Sequence, residues 1–132
     1  MRILVVDDHA TFRNSVKTLM QSGSRLCTIE EASGGTEALH ALEEQHIDVI
    51  TLDLSLGNES GLDLLRSIHQ LHPDVPVLML TFRSGAEYAE RSRNLGARGY
   101  LRKDLAASEL PFAIDEVMAG RVYDSEARLP RV

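Results

Sequence analysis

The chain has 132 residues, 43% hydrophobic and 26% charged, with a formal net charge of −6 at pH 7; this suits one folded domain with one core and excludes a disordered composition. The acidic balance and the lack of any Lys/Arg-dense run exclude a footprint for nucleic acid or an anionic membrane, so no direct DNA binding by this chain is expected. Cys27 is the only cysteine, which excludes an internal disulfide and a thiolate metal cluster, and with neither a membrane-length apolar run nor a signal peptide the expected setting is the cytoplasm.

Elements follow in chain order. Ile3 to Val6 is a continuously apolar run, as in a strand covered on both faces, and it ends in the adjacent carboxylates Asp7 and Asp8. Paired negative charge at the end of a buried strand calls for a positive partner. His9 begins a helix whose Phe12, Val16, Leu19 and Met20 share one face. A second strand is expected at Leu26 to Ile29, with Cys27 as a small core residue. The second helix, "GGTEALHALEEQ", has Ala38, Leu39 and Leu42 as its stripe. Val49 to Leu52 forms the third strand and closes on Asp53. The third helix, "SGLDLLRSIHQL", presents Leu62, Leu65 and Ile68 and stops at His72-Pro73.

Val75 to Leu80 is the fourth strand, closing on Thr81, and the polar "GAEYAERSRNLG" the fourth helix. A weaker fifth strand around Tyr100 and Leu101 runs into Lys103. The fifth helix, "SELPFAIDEVMAG", takes Ser108 as N-cap, keeps Pro111 within the first turn and stops at Gly120. Residues 121–132 read as a polar tail or a truncated linker. His40, His46, His69 and His72 read as surface residues.

Regular alternation of strand and helix predicts an α/β fold with helices on both faces of a parallel sheet. Ligands of such sheets gather outside the carboxyl ends of the strands. Asp7, Asp8, Asp53, Thr81 and Lys103 all lie there. Singly, each reads as a turn, cap or solvated residue; together they make a site. Carboxylates about 4 Å apart repel by about 4 kcal/mol per pair at an effective dielectric near 20, and a divalent cation removes that cost. Oxygen ligands favour a hard ion such as Mg²⁺. Asp8 and Asp53 are expected as direct ligands, with a backbone carbonyl near Ser55 as a third and Asp7 acting through water. A carboxylate beside Mg²⁺ and an ammonium is equipped to attack phosphorus. Asp53 is the expected nucleophile, with Lys103 and Thr81 contacting the phosphoryl oxygens.

The stretches "VVDDH", "ITLDLS", "SGLDLL", "VLMLT" and "GARGYLRKD" resemble the receiver domains of two-component response regulators, in the NarL/FixJ-type branch whose full-length members carry a LuxR-type helix-turn-helix. The likeness covers residues 1–120. It implies a flavodoxin-like (βα)5 doubly wound sheet of order 2-1-3-4-5, a phosphoacceptor at Asp53, and Mg²⁺ held by Asp8 and Asp53 with Asp7 assisting. It also implies a sensor histidine kinase or phosphotransfer protein as donor, a homodimer on phosphorylation, and control of an output such as transcription. Thr81 and Tyr100 match the family's switch pair, in which the aromatic ring turns inward as the Thr moves toward the phosphate. Helices one and five, with Val117, Met118 and Val122, are one candidate dimer face.

Two residues depart from that family's pattern. Gly57 stands where it usually has Pro, which predicts a looser loop after Asp53. Phe82 follows Thr81 where a smaller residue is common, which predicts slow phosphoryl exchange with small donors such as acetyl phosphate. A phosphorylation-independent pseudo-receiver remains as an alternative reading. A Mg²⁺-dependent phosphatase of the haloacid-dehalogenase type would need a second Asp two residues after the nucleophile, and Ser55 stands there, so a phosphoacceptor rather than a turnover enzyme is expected.

Overall fold

In the computed structural model, which describes residues 1–23 and 26–128, the chain runs β1 (Arg2–Val6), α1 (Ala10–Gln21), β2 (Thr28–Ala32), α2 (Gly35–Glu44), β3 (Val49–Leu52), β4 (Ser55–Leu56), β5 (Glu59–Ser60), α3 (Gly61–Leu71), β6 (Val77–Thr81), α4 (Ala86–Asn94), β7 (Gly99–Arg102), α5 (Ala106–Met118) and β8 (Tyr123–Asp124). Six strands form one parallel sheet in the order β2-β1-β3-β6-β7-β8, and β4 and β5 form a separate hairpin. With the hairpin set aside, the first five sheet strands follow the 2-1-3-4-5 order of a flavodoxin-like fold.

Strand alternation divides the core between the two faces of the sheet. Leu4, Val6, Ile50, Leu52 and Met79 pack with Leu42, Leu65 and Ile68 of α2 and α3. Ile3, Val5, Leu78, Leu80 and Leu101 pack with Val16 and Met20 of α1 and with Leu110, Ile114 and Val117 of α5. Val117 is fully buried, while Met118 and Val122 are exposed, so only the latter two remain on the candidate dimer face.

Several expectations are corrected. The second strand starts at Thr28, because its register places Arg2 opposite Thr28 and Val6 opposite Ala32. Leu26 lies outside it and is exposed, and Cys27 is half-buried at the margin of the core. Ser108 does not cap α5: a single 3-10 turn, Lys103–Leu105, leads straight into a helix that begins at Ala106. The Ser108 hydroxyl instead donates to the Leu105 carbonyl, and Pro111 falls in the second turn, at the cost of one helical hydrogen bond. Part of the stretch read as a tail pairs with the sheet, since β8 runs parallel to β7.

The loop after Asp53 forms a closed hairpin. Ser55 pairs with Ser60 and Leu56 with Glu59, leaving Gly57 and Asn58 as a two-residue turn. Gly57 takes φ +64 and Asn58 does not have positive φ, the pattern of turns that place Gly first. The hairpin returns the chain to Leu54, whose carbonyl accepts from the Gly61 amide at 2.8 Å. A Cβ at Gly61 would overlap the Asp53 carbonyl oxygen and the Leu54 Cα. Gly61→Ala is therefore expected to lower folding stability by about 2–3 kcal/mol, read from urea unfolding, because backbone on both sides must move.

Candidate functional site

Sheet register brings the acidic residues together. The Asp7 amide donates to Ala32 on β2 at 3.0 Å, and the Asp53 amide donates to Val6 on β1 at 3.2 Å. Both side chains thus emerge at the same edge. Thr81 lies opposite Arg102 in the β6–β7 pairing, so Lys103 leaves the sheet at that edge as well.

The Lys103 side chain is only 2% exposed, and its Nζ lies 2.5 Å from Asp7 Oδ2 and 2.8 Å from Asp53 Oδ2. The rings of Phe12 and Phe82 flank the ammonium, with centroids 4.3 and 5.1 Å away. Burial pushes the Lys103 pKa down, but hydrogen bonds and charge from Asp53 and Asp7 outweigh it and hold the value above its ordinary 10.5. The second oxygens of the two carboxylates bond to local backbone: Asp7 Oδ1 accepts from the His9 amide at 2.8 Å and Asp53 Oδ1 from the Ser55 amide at 3.3 Å.

Asp8 is placed differently. Its Oδ1 is buried and accepts no hydrogen bond, although His9 Nδ1 lies 3.1 Å away. Donor atoms of Asp7, Asp8 and His9 all lie within 4.8 Å of one another. Asp53, expected as a direct ligand, is outside that group and tied to Lys103. A cleft of about 400 Å³ is lined by Asp8, His9, Asp53, Ser55, Thr81, Phe82 and Lys103. Three carboxylates against Lys103 and Arg83, which also lines the cleft, leave an excess of negative charge here. With the unpartnered Asp8 oxygen, that charge fits a hard divalent cation.

The buried Thr81 hydroxyl accepts from the Arg83 amide at 3.2 Å. Tyr100 is already turned inward: its ring is buried, and its hydroxyl donates to the Arg83 carbonyl at 2.7 Å. Burial, and then the Glu126 carboxylate, raise its pKa above the ordinary 10.0.

Sequence reasoning placed the five polar residues at this edge but missed three of their neighbours. His9 stood next to the acidic pair, which was the available signal. Phe12 was read only as a core residue of α1. Arg13 clamps the turn after β1, donating to the Asp7 carbonyl at 2.5 Å and to Glu31 at 2.9 Å, and nothing in its own spacing announced that.

The family described as Response regulator receiver domain matches residues 3–115. The chain belongs to this receiver family. Among curated relatives, the receiver is 30% identical over 123 residues to the transcriptional regulatory protein DegU of Brevibacillus brevis, covering 93% of this chain and 52% of that protein. It is also 30% identical over 123 residues to the response regulator UvrY of Escherichia coli K12, covering 93% and 56%. The chain thus spans about half the length of these relatives. Among solved structures, a LuxR-family two-component response regulator from Aurantimonas superposes with TM-score 0.86 at 30% identity, covering 92% of this chain and 87% of that one. A CheY-like receiver domain protein from Methanospirillum hungatei gives 0.81 at 28% identity, covering 90% and 94%. This is a signalling module of two-component systems. Among the described residues, no helix is long and apolar enough to cross a membrane.

Because the Lys103 pKa is raised on folding, the receiver gains stability from its ammonium below pH 10.5, and that gain is lost as pH climbs through the higher folded value. Tyr100 acts in the same direction above pH 10.0, since the fold favours its neutral hydroxyl. Urea midpoints of the parent are expected to fall above about pH 10, and those of Lys103→Met to fall less steeply over the same range.

Proposed function

We propose that this receiver accepts a phosphoryl group on Asp53 from a histidine kinase or phosphotransfer protein in the cytoplasm, with Mg²⁺ bound, and switches its surface to control an output such as transcription. The observation that carries this reading is the buried Lys103 ammonium shared between Asp7 and Asp53 at the floor of an open cleft.

Asp8, Asp53 and a backbone carbonyl near Ser55 would hold the cation directly, with Asp7 acting through water and His9 beside it. The cation supplies positive charge against the phosphoryl oxygens. The rest of the chemistry belongs to the chain. An Asp53 carboxylate oxygen forms the new bond to phosphorus as the P–N bond of phosphohistidine breaks. The imidazole leaves neutral when its other ring nitrogen carries a proton. Lys103 balances negative charge as it moves onto the Asp53 phosphoryl group, and its links to both carboxylates orient the nucleophile before reaction. The Thr81 hydroxyl, which accepts from the Arg83 amide, donates its own hydrogen to a phosphoryl oxygen. At pH 7 the product adds about −1.5 to −2 charges to the cleft, enough to bias a two-state loop.

The names of DegU and UvrY, a transcriptional regulatory protein and a response regulator, support the output assigned here. Ser55 supports a stoichiometric acceptor over a phosphatase: it occupies the place of a general acid, and a hydroxyl is a poor proton donor at neutral pH.

Phosphate-affinity gels run after incubation with phosphorylated histidine kinases should retard the parent and not Asp53→Asn; an unretarded parent across a broad kinase panel would refute the assignment. Calorimetric titration with Mg²⁺ should show at least about tenfold weaker binding for Asp8→Ala, since one ligand of a site made of few carboxylates is lost. Phe82 is 71% exposed and overhangs Lys103. Phe82→Ala is expected to speed labelling by acetyl phosphate severalfold, and equal rates would remove the ring as a barrier.

A further inference from the structure

The phosphoryl chemistry leaves the His9 ring without a task. His9 stands at the N-cap of α1, where a Ser, Thr, Asp or Asn side chain ordinarily accepts from the first turn, yet its ring makes no capping bond. The ring turns to the acidic pair instead: Nδ1 lies 3.1 Å from Asp8 Oδ1 and 3.4 Å from Asp7 Oδ1. The Asp8 oxygen is buried and accepts no hydrogen bond, so the closer approach is not a ring N–H donated to it.

These separations are those of ligands that share an ion. Donor atoms about 2.1 Å from one metal lie about 3.0 Å apart at right angles and about 3.4 Å apart at the tetrahedral angle. One donor atom from each of Asp7, Asp8 and His9 lies within 4.8 Å of the other two. The turn that carries them is fastened before any ion arrives, because Asp7 Oδ1 accepts from the His9 amide at 2.8 Å and Arg13 donates to the Asp7 carbonyl at 2.5 Å. The His9 side chain is 70% exposed, which leaves the ring open to ions from solvent.

A second pair shows the contrast. His46 Nε2 and Asp48 Oδ1, 3.0 Å apart, share a hydrogen bond, and Asp48 Oδ2 accepts from the Arg2 amide at 2.7 Å. Both oxygens of Asp48 are thus engaged, whereas the Asp8 oxygen beside His9 is not.

Donor chemistry sets which ion fits. Carboxylate and carbonyl oxygens suit Mg²⁺, while an imidazole nitrogen adds little for that hard ion and much for a borderline one such as Zn²⁺. We propose that His9 is a direct metal ligand through Nδ1 beside Asp8, which makes this position a site for a borderline divalent cation of the Zn²⁺ class as well as for Mg²⁺. The inference rests on the phosphoacceptor reading only in taking Asp8 as a ligand, and it adds a competitor to that reading: Zn²⁺ held by Asp8 and His9 excludes Mg²⁺ from Asp8.

The test titrates Zn²⁺ into the isotope-labelled chain at about pH 8, to keep free imidazole neutral. Long-range proton–nitrogen spectra, which separate Nδ1 from Nε2, report the ligand atom, and calorimetry reports affinity. His9 Nδ1 should take the metal-bound shift, Asp8→Ala should abolish it, and added Mg²⁺ should compete. His9→Asn should weaken Zn²⁺ binding about tenfold or more while changing Mg²⁺ affinity less than about twofold. Asn is itself a favoured N-cap, so this variant keeps α1. A His9 ring that Zn²⁺ leaves unmoved, equal Zn²⁺ affinity in the parent and His9→Asn, or a His46 ring that responds at the same Zn²⁺ concentration overturns the inference. A parent that takes Zn²⁺ on His9 Nδ1 but binds no Mg²⁺ supports the His9 ligand and refutes the Mg²⁺-dependent phosphoacceptor reading, so the two fail separately.

Discussion

A lysine ammonium buried between two carboxylates is the constraint on which the rest of this structure turns. An isolated charge in such a place would cost several kcal/mol in lost hydration, and only close, well-oriented partners offset that. Lys103 finds them at the ends of two adjacent strands, Asp7 after β1 and Asp53 after β3, with aromatic rings of Phe12 and Phe82 closing over it. The three residues meet only if β1, β3, β6 and β7 keep the observed register. A one-residue slip would turn each strand's side chains to the opposite face.

Two kinds of backbone surround this triad. On the β3 side a two-residue turn at Gly57 and a close backbone approach at Gly61 bring the loop after Asp53 back against itself. On the β6 side the chain is held by a few polar bonds to Thr81, Tyr100 and Glu126. The helix that follows, α4, buries only Ala89 and Ser92. Little apolar area ties that helix down, so hydrogen bonds set its position, and they exchange partners more readily than packed side chains do. The β3 side of the cleft is thus fixed by close backbone contacts and the β6 side by polar bonds.

The proposed metal and phosphate chemistry would share one electrostatic cause: Asp7, Asp8 and Asp53 outnumber Lys103 and Arg83, and the excess negative charge that suits a cation is also what a phosphoryl group would have to overcome. Asp8 differs from its neighbours in having a buried oxygen with no hydrogen bond, whereas Asp7 and Asp53 are engaged by Lys103 and by backbone amides. The different bonding of three chemically identical side chains is therefore a matter of place.

Much of this was readable from residue order. Continuous apolar runs that end in polar residues marked the strands, the parallel sheet and the edge at which Asp7, Asp8, Asp53, Thr81 and Lys103 gather, because chain direction in a parallel sheet converts position in sequence into position at one edge. Edge elements were not readable in this way. The apolar pair Leu26 and Cys27 drew the second strand two residues too early, since only pairing with β1 decides where an edge strand begins. What the tertiary structure alone decided are contacts between residues far apart in the chain: which oxygen Lys103 takes across 50 residues, the inward setting of Tyr100, and the docking of Glu126 on Gly85 across 41. Periodicity is a local property and reports which face a residue occupies. The partner it meets there depends on how the whole sheet closes.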